Sequence, residues 1–414
     1  KQGLRLRKLK KFCLRGIPLD KKVVIVGIGM DGAKTLTAEA REAIDGAQLI
    51  IGAKRMVEPF LSLGRQLFIS YNTEEIADFI SKSDLTDIAV LMSGDCGFYS
   101  GAEKLAKLLD NCTVLSGISS PIYFFSKLKM PWQDCRYVSL HGADANIVRN
   151  ICTHKKTFFL LGGKVTVSEI CRKLCCYGLK NLQVYIGENL SAENEKISSG
   201  IAADFTDYEN ANLCVMAVIN HDCEHVLRSG IADGMFLRGN VPMTKAEVRA
   251  VCISKLMIKK AAVCWDIGCG TGSVTVEMAL QCADGTVYAV DKNVEAVDLT
   301  QRNALKFRCD NIVVQGGRAE QIAAIFPPPD CVFIGGSGGC IDEIISIAAE
   351  KNPHANFVVT AVTLETLNKA IAVFERLEIP YEVSQIAVTR TRKIGSSTML
   401  AAENPIFIIN GAKP

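Results

Sequence analysis

Short apolar runs alternate with amphipathic segments along most of the chain. The first run, from Val23 to Val26, is followed by a glycine-containing loop and then by Thr37, a suitable N-cap for a helix that ends near Gly46. Short continuous apolar runs are typical of strands that a parallel sheet buries on both faces. The first half of the chain has further runs of this kind at 49–51, 88–92, 157–161, 183–186 and 213–219. Strands that alternate with helices predict an α/β fold with a parallel sheet.

In the second half of the chain the same alternation is more regular. Five apolar runs, separated by helical segments, lie at 262–266, 286–291, 312–315, 331–334 and 356–360. Two β-rich runs follow them between Tyr381 and Ile409. Five strand–helix units followed by a terminal hairpin predict a seven-stranded, Rossmann-like sheet.

Polar and turn-rich segments divide the chain into domains. We predict a basic arm over 1–21, a domain over 22–220, a linker over 221–234 and a second domain over 235–414. Within the first domain, the stretch from Met130 to Gly142 combines turn-forming residues with weak periodicity and predicts a joint between two α/β subdomains. The arm lacks the apolar core of a signal peptide, so we expect it to be solvated, with an organelle-targeting signal as the alternative.

The composition excludes some classes of function. Of the 414 residues, 49% are hydrophobic and 22% are charged, which is ordinary for a soluble globular protein, and the formal net charge is +3. This charge is too small for a dedicated nucleic-acid binder, and no apolar run reaches the roughly 18 residues of a membrane span. We therefore expect a cytoplasmic protein that binds neither nucleic acid nor a membrane.

The seventeen cysteines indicate buried side chains more than a metal site. Many lie inside apolar runs, and no C-x-x-C pair occurs, so neither a zinc ribbon nor a thioredoxin-like site is indicated. We expect reduced, buried thiols and no bound metal. The alternative is a metal site on one predicted helix that carries Cys171, Cys175 and Cys176, whereas His221 and His225 are assigned to a solvated linker.

The most specific motif is the segment Asp266-Ile267-Gly268-Cys269-Gly270-Thr271-Gly272, between an apolar run and an amphipathic one. This order is typical of a strand, a glycine turn and a helix, where the backbone passes very close to a ligand. Asp291 ends the next predicted strand, 19 residues after Gly272, where an acid typically accepts hydrogen bonds from ribose hydroxyls. The G-x-G-x-G spacing favours S-adenosylmethionine (SAM), because dinucleotides usually take G-x-G-x-x-G. An NAD-dependent oxidoreductase with Asp291 on the ribose is the alternative.

Two later loops extend this predicted site. The segment from Gly316 to Glu320, which includes Ala319, follows the third strand and suits the adenine edge, although a simple helix-start turn has the same pattern. The segment from Gly335 to Gly339 follows the fourth strand, and the bare amides of Gly335, Gly336 and Ser337 suit the carboxylates of an anionic substrate. A flexible turn is the alternative for this loop.

The first half has three glycine loops of its own at predicted strand ends. They contain Gly27 and Gly29, then Gly94 and Asp95, then Ser119, which together predict a ligand held largely by backbone groups. His141 lies in the predicted joint between subdomains and is a candidate to face a cleft and bind the substrate; an ordinary structural histidine is the alternative.

Both halves resemble known methyltransferase families. The first half is similar to the class III tetrapyrrole methylases, with matching segments at 26–29, 50–55, 93–100, 139–142, 161–164 and 187–190. The second half is similar to the decarboxylating corrin methyltransferases, with matches at 242–245, 247–250, 266–272 and 333–339. The whole chain therefore resembles a fusion of the two families that serves cobalamin biosynthesis, which implies a tetrapyrrole methylase fold of two α/β subdomains followed by a class I SAM methyltransferase domain.

The resemblance implies a function for each half. The first half would methylate C5 of a precorrin-type ring, and the second half would methylate C15 and remove CO2 from the C12 acetate. It also implies that SAM contacts Thr244, the loop from Gly268 to Gly272, Asp291 and Ala319. The substrate would be an anionic tetrapyrrole with or without cobalt, and the protein would form a homo-oligomer.

Other functions remain open at the level of the sequence. Two positions depart from the family pattern: Met30 and Asp31 interrupt the first glycine loop, and Cys96 replaces the proline that usually follows the Gly-Asp pair. The alternatives are therefore an enzyme whose first site is silent, a SAM sensor, or a methylase of another tetrapyrrole. We hypothesise that Arg238 and Lys245, which flank Thr244, hold ring carboxylates; ordinary surface charges are the alternative. The sequence does not identify a catalytic acid or base.

Overall fold

The computed structural model describes residues 21–30, 34–109, 111–141, 145–162, 165–224 and 229–413. Several predictions concern positions outside these ranges: nearly all of the basic arm, the loop residues Asp31 and Gly32, part of the matched segments at Gly142, Gly163 and Lys164, and His225.

The first sheet is parallel throughout, as the alternation of strands and helices predicts. Its strands follow the order β3-β2-β4-β1-β5. They are β1 (Lys22–Gly27), β2 (Leu49–Gly52), β3 (Gln66–Ile69), β4 (Asp87–Met92) and β5 (Thr113–Leu115). The helices of this subdomain are α1 (Ala38–Gly46), α2 (Lys54–Val57), α3 (Thr73–Lys82), α4 (Ala102–Leu109) and α5 (Ser120–Lys127), and a short 3-10 helix spans Glu58–Leu63.

Neighbouring strands bring the three glycine loops of this subdomain together. Because β4, β1 and β5 are adjacent and parallel, the loops that follow them leave the same edge of the sheet. The strand residues alternate between two cores, with Val23 and Ile25 on one face and Val24 and Val26 on the other. Thr37 caps α1 as predicted, since its side chain accepts a hydrogen bond from the Ala40 amide.

The second sheet differs from the parallel sheet that the alternation predicts. Its order is β6-β7-β10-β8-β9, and only β6 and β7 are parallel. The strands are β6 (Cys135–Ser139), β7 (Lys156–Leu160), β8 (Gln183–Glu188), β9 (Lys196–Ile201) and β10 (Cys214–Ile219), with helices α6 (Ile147–Thr153) and α7 (Val167–Cys176) and a 3-10 helix at Ala202–Phe205. No α-helix connects β8, β9 and β10, so these strands pair by antiparallel connections.

The third sheet confirms the predicted seven strands and Rossmann-like topology. Its order is β13-β12-β11-β14-β15-β19-β16, and the chain reverses direction across the sheet between β11 and β14. The strands of this half are β11 (Val263–Ile267), β12 (Thr286–Asp291), β13 (Ile312–Gly316), β14 (Cys331–Ile334), β15 (Asn356–Ala361), β16 (Tyr381–Ile386), β17 (Thr389–Ile394), β18 (Ser397–Ala402) and β19 (Ile406–Gly411). The helices are α8 (Ala246–Leu256), α9 (Ser273–Gln281), α10 (Val294–Lys306), α11 (Ala319–Ile325), α12 (Ile341–Lys351) and α13 (Leu364–Arg376), with a 3-10 helix at Asp233–Met235.

A hairpin of β17 and β18 stands apart from this sheet and was not predicted. The sequence pattern indicates two β-rich runs in this region, whereas the structure has four strands, of which β17 and β18 pair only with each other. The strands are mostly exposed on both faces, so they lack the hydrophobic alternation that marks a half-buried strand.

The predicted linker is divided between the two domains. The Glu224 amide donates to the Cys152 carbonyl of the first domain, whereas Ile231 is buried in the core of the second domain with Phe236. A direct interface also joins the domains, since the Asn146 amide group donates to the carbonyls of Ala283 and Gly285. Residues 229–234 therefore belong structurally to the second domain.

No disulfide joins the cysteines of the described segments, and most of these side chains are buried. Cys214, Cys252, Cys264 and Cys331, which lie in apolar runs, are all buried as predicted. Within the described ranges, no group of three or more His, Cys, Asp or Glu side chains is arranged to hold a metal ion. None of the helices in these ranges is long and apolar enough to cross a membrane.

Candidate functional site

A cavity of about 600 Å³ opens at the carboxyl ends of β11, β12, β13 and β14. Its position is the one where ligands bind in doubly wound sheets. Most of the residues predicted for this half line it, namely Thr244, Asp266, Gly268, Cys269, Gly270, Asp291, Ala319, Gly335, Gly336 and Ser337. Thr271 and Gly272 are not among the lining residues, and they shape the turn behind them.

The glycine turn after β11 depends on a backbone conformation that other residues rarely adopt. Gly268, Gly270 and Gly272 have φ angles of 77°, 55° and 75°. A Cβ atom at Gly268 would lie 2.4 Å from the Gly336 carbonyl oxygen, so the loops after β11 and β14 are in direct backbone contact. A side chain at Gly268 would close the space between these two loops, whereas a Cβ atom at Gly270 would lie 2.5 Å from the Pro242 carbonyl oxygen.

Two aspartates place carboxylate oxygens at this cavity. Asp291 accepts hydrogen bonds from the amides of Asn293 and Gly270, at 2.9 and 3.0 Å, and so joins the ends of β11 and β12. Asp266 is fully buried, and its Oδ2 accepts from the Thr275 hydroxyl while its Oδ1 has no hydrogen-bond partner. Burial raises the pKa of Asp266 to about 7. An unpaired buried oxygen beside a cavity indicates a ligand donor.

The structure places different cations at the cavity from those that the sequence suggested. Arg238 is exposed and does not line the cavity, and the Lys245 Nζ lies 4.0 Å from Asp233 Oδ2 outside it. Lys292 and Arg318 are lining residues instead. Lys292 directly follows the last residue of β12, and Arg318 lies two residues after the last residue of β13. This position after a strand end is the signal that could have identified them.

A second cavity, of about 480 Å³, lies between the two subdomains of the first domain. Gly94, Asp95 and His141 line it, whereas Gly27, Gly29 and Ser119 lie behind it and support the loops. Gly29 and Gly94 exchange two backbone hydrogen bonds, of 3.1 and 2.7 Å. A Cβ atom at Gly27 would lie 2.7 Å from the Gly117 nitrogen, so the three glycine loops pack backbone against backbone.

Asp95 connects two of these loops. Its Oδ1 accepts a hydrogen bond from the Gly97 amide at 2.7 Å, and its Oδ2 accepts one from the Gly117 amide at 3.0 Å. Cys96, the departure from the family pattern, points into the core and lies 3.3 Å from the Leu115 carbonyl oxygen. Burial raises the pKa of this thiol to about 11, so Cys96 is a neutral packing residue. The loop is ordered by these contacts without a proline.

Side chains from both subdomains face each other across this cavity. His141 comes from the end of β6, and Arg55, Tyr71 and Tyr99, which were not predicted, come from the first subdomain. Arg55 donates to the Ser93 hydroxyl at 3.1 Å, and the Tyr99 hydroxyl donates to the Tyr137 carbonyl at 3.3 Å. Both cavities thus combine glycine-loop backbone with charged side chains, an arrangement suited to binding and orienting ligands.

Comparisons with known proteins match the two halves of the chain to two different families. A tetrapyrrole (corrin/porphyrin) methylase family matches residues 22–205, and a precorrin methyltransferase domain family matches residues 235–413. A Pyrobaculum calidifontis protein named as a probable cobalt-precorrin-6B C(15)-methyltransferase (decarboxylating) is 45% identical over 183 residues, which cover 44% of this chain and 94% of that protein.

A longer relative spans both domains. The precorrin-6Y C(5,15)-methyltransferase (decarboxylating) of Sinorhizobium is 28% identical over 389 residues, which cover 91% of this chain and 92% of that protein. A crystal structure of precorrin-6Y C5,15-methyltransferase from Geobacter metallireducens is 35% identical and matches 45% of this chain and 97% of its own, with a TM-score of 0.43.

Proposed function

Because this chain belongs to the precorrin methyltransferase family and carries a tetrapyrrole methylase domain ahead of that unit, we propose that it methylates one precorrin-type ring twice, at C5 and C15, and decarboxylates its C12 acetate. The observation that carries the proposal is the presence of two separate cavities with glycine-loop walls, one in each matched domain. The relative that matches only the second domain is named for C15, and the relative that spans both is named for C5 and C15. This difference supports C5 methylation in the first domain.

The proposed cofactor at both sites is SAM, which supplies a methyl group on a positively charged sulfur. The residues of the second cavity fit it. The amino end of α9 suits its carboxylate, whereas most amides of the glycine turn already donate hydrogen bonds within the protein. Asp266 Oδ1, buried and without a partner, suits its cationic amino group. Asp291 keeps further lone pairs for the ribose hydroxyls, and Ala319 lies at the proposed adenine edge. In the first cavity, Gly94 and Asp95 would provide the corresponding contacts, with Ser119 behind them.

The proposed substrate is an anionic tetrapyrrole. Lys292 and Arg318 line the second cavity and are better placed than Arg238 and Lys245 to hold ring carboxylates. Lys292 Nζ lies 3.9 Å from the position of a Cβ at Gly338, so its ammonium group reaches the loop that begins at Gly335. In the first cavity, Arg55 provides the corresponding charge.

The work of the protein in this reaction is positioning and exclusion of water. The nucleophilic carbon belongs to the conjugated ring, and the same ring can take up the electron pair that remains when the acetate loses CO2. The chain therefore needs to hold the ring at the right distance and orientation, which loops in backbone contact can do.

Mass spectrometry of a precorrin-6-type ring after incubation with the protein and SAM, with and without cobalt, tests the proposal. We expect a gain of two methyl groups and a loss of CO2. Asp291→Ala should abolish methylation at C15 while methylation at C5 continues. A single methyl group with CO2 loss in the wild type would mean that the first site is silent. SAM binding without any change in the ring would indicate another tetrapyrrole or a sensor, and reduction of NAD would indicate an oxidoreductase.

Two further expectations belong to this proposal. A homo-oligomer, which the resemblance implies, has a candidate contact surface in the hairpin of β17 and β18, where Ile394, Met399 and Leu400 are 54%, 52% and 75% exposed. Light scattering of the purified chain would give its mass in solution. The cytoplasmic location stays a prediction from the composition.

A further inference from the structure

The side chain of His141 occupies a defined place at the cavity between the two subdomains. The amide of the preceding residue, Leu140, donates to the Leu160 carbonyl at 2.9 Å, so His141 is held at the end of β6 beside the end of β7. A Cβ atom at Gly162 would lie 2.0 Å from His141 Nδ1 and 3.0 Å from its Cγ. The imidazole thus lies against the bare backbone of Gly162, and both residues Leu160 and Leu161 line the same cavity.

We propose that the His141 imidazole is a catalytic residue of the first domain, which accepts the proton that a ring carbon releases when it is methylated. This inference rests on the proposed function. It assigns a general base to a site where the sequence identified none, and it replaces a simple binding role for His141 with a chemical one.

The chemistry requires an acceptor for one proton. A methyl group that leaves a sulfonium leaves its bonding electron pair on sulfur, and the new carbon–carbon bond uses a π electron pair of the ring. The ring then carries an additional positive charge. Loss of the proton from the methylated carbon returns the C–H electron pair to the conjugated system, and the proton goes to an imidazole nitrogen and then to solvent. A positioned base typically accelerates such a transfer by about 10²–10⁴-fold.

The other ionisable side chains that line the cavity are poorly suited to this role. In the described residues they are Arg55, Tyr71, Asp95, Tyr99 and Cys214. Arginine has no acceptor, and the Asp95 carboxylate joins two loops through the amides of Gly97 and Gly117, so a proton on it would weaken the contacts that hold the cavity wall. Burial raises the pKa of Cys214 to about 12, which keeps the thiol protonated.

The two tyrosines are also poor acceptors. The Tyr99 hydroxyl donates to the Tyr137 carbonyl, and Tyr71 is 89% exposed at the rim. A neutral imidazole, in contrast, accepts protons near neutral pH, because imidazoles generally change charge between about pH 5 and 8. His141 is exposed, so its proton can pass to solvent after each transfer.

The variants His141→Asn and His141→Ala test the inference, and His354→Asn is the matched control, because His354 is exposed on the other domain. The first readout is binding of the precorrin-6-type ring in the absence of SAM, measured through the visible absorption of the ring. The second is single-turnover methylation with ¹³C-methyl-labelled SAM, in which NMR separates the C5 and C15 products. The second domain is an internal control for folding, since its C15 methylation and CO2 release occur in the same chain.

We expect the rate of C5 methylation to fall about 100-fold or more in both His141 variants, while ring affinity and the C15 reaction change less than about twofold. The wild-type C5 rate should decline at acidic pH, His141→Asn should lose this dependence, and added imidazole should partly restore His141→Ala. A wild-type C5 rate in His141→Asn, or a loss confined to ring affinity, would overturn the inference. If the wild type performs the C15 reaction alone, the inference fails while the C-terminal part of the proposed function stands; if it performs neither reaction, both fail.

Discussion

Arg249 and Glu277 form an ion pair with both side chains fully buried, and the Nε and Oε1 atoms lie 2.6 Å apart. Glu277 also accepts hydrogen bonds from the amides of Gly230 and Ile231 at 2.9 Å each. Arg249 in turn donates to the carbonyl of Thr244, a residue that lines the second cavity. The pair therefore connects α8, α9 and the end of the predicted linker, and it positions the entrance to the proposed cofactor site.

Glu277→Gln should strongly destabilise the second domain. The substitution removes the nearer of two carboxylates beside the buried guanidinium of Arg249 and leaves only Asp233, at 3.3 Å, as a counter-charge. Breaking a buried pair in this way costs about 3–5 kcal/mol. Urea denaturation of the full chain measures the change in the free energy of unfolding. Asp298→Asn is the matched control, because its pair with Arg302 is about half exposed and contributes below about 1 kcal/mol. Equal effects of the two substitutions would show that burial of the pair does not matter.

Gly268→Ala should abolish SAM binding in the second cavity. The new Cβ would enter the space 2.4 Å from the Gly336 carbonyl oxygen, at a φ of 77° that costs a non-glycine residue about 1–3 kcal/mol. Gly46→Ala is the control, since no atom lies within 4 Å of its Cβ position, and it should stabilise α1 by about 0.4–1 kcal/mol. Calorimetric titration with SAM should find two sites in Gly46→Ala and one in Gly268→Ala. Two sites of unchanged affinity in both variants would contradict this role for the glycine turn.

Asp266 should make the stability of the second domain depend on pH. Burial raises its pKa from about 3.8 to about 7 in the folded chain, so between these values the folded chain holds a proton that the unfolded chain has released. The stabilisation is complete below pH 3.8 and is lost as the pH rises through about 7. At ~1.4 kcal/mol per pH unit, this loss is on the order of 4 kcal/mol.

Asp266→Asn, a neutral residue of the same shape, should remove this component. Without cofactor, the free energy of unfolding of the variant minus that of the wild type should increase between pH 5 and pH 7, because other titrating groups cancel in the difference. A difference that stays constant over this range would mean that Asp266 is charged in the folded chain.

Asp310→Ala should loosen the contact between the two domains. The buried carboxylate of Asp310 accepts from the amides of Val148 and Arg149, at 2.9 Å each, and pairs with Lys173 at 2.8 Å. Its removal leaves these donors without an acceptor and should cost about 3–5 kcal/mol. Hydrogen exchange at Val148 and Arg149 should accelerate.

Asp284→Asn provides the comparison for this interface. The Asp284 side chain is 26% exposed and pairs with Arg136 and Lys260, so its substitution should have a much smaller effect on the same amides. Unchanged protection of the α6 amides from hydrogen exchange in Asp310→Ala would show that the Asp310 carboxylate does not hold the domains together.

Local patterns in the sequence were sufficient for much of the fold and for the cores of both sites. Apolar runs identified β1, β2 and β4 in the first sheet and β11 to β15 in the third, and Thr37 marked the start of α1. The short strands β3 and β5, of four and three residues, were not predicted. The glycine turn after β11 and the acid at the end of β12 were also evident. These features are encoded within a few consecutive residues, because periodicity, helix caps and left-handed glycine conformations are local properties of the chain.

Other features depend on which distant segments meet. The antiparallel pairing of β10 with β7 and β8 joins strands that are distant in the sequence. The hairpin of β17 and β18 is a different case, because only residues 395–396 separate its strands, but both of its faces are exposed and no apolar alternation marks it. Lys292 and Arg318 line the second cavity, whereas Arg238 and Lys245 do not. Whether a side chain lines this cavity depends on its position relative to the strand ends, which only the folded chain defines. Likewise, the space for His141 is set by Gly162, 21 residues away, and no local pattern records a contact of this kind.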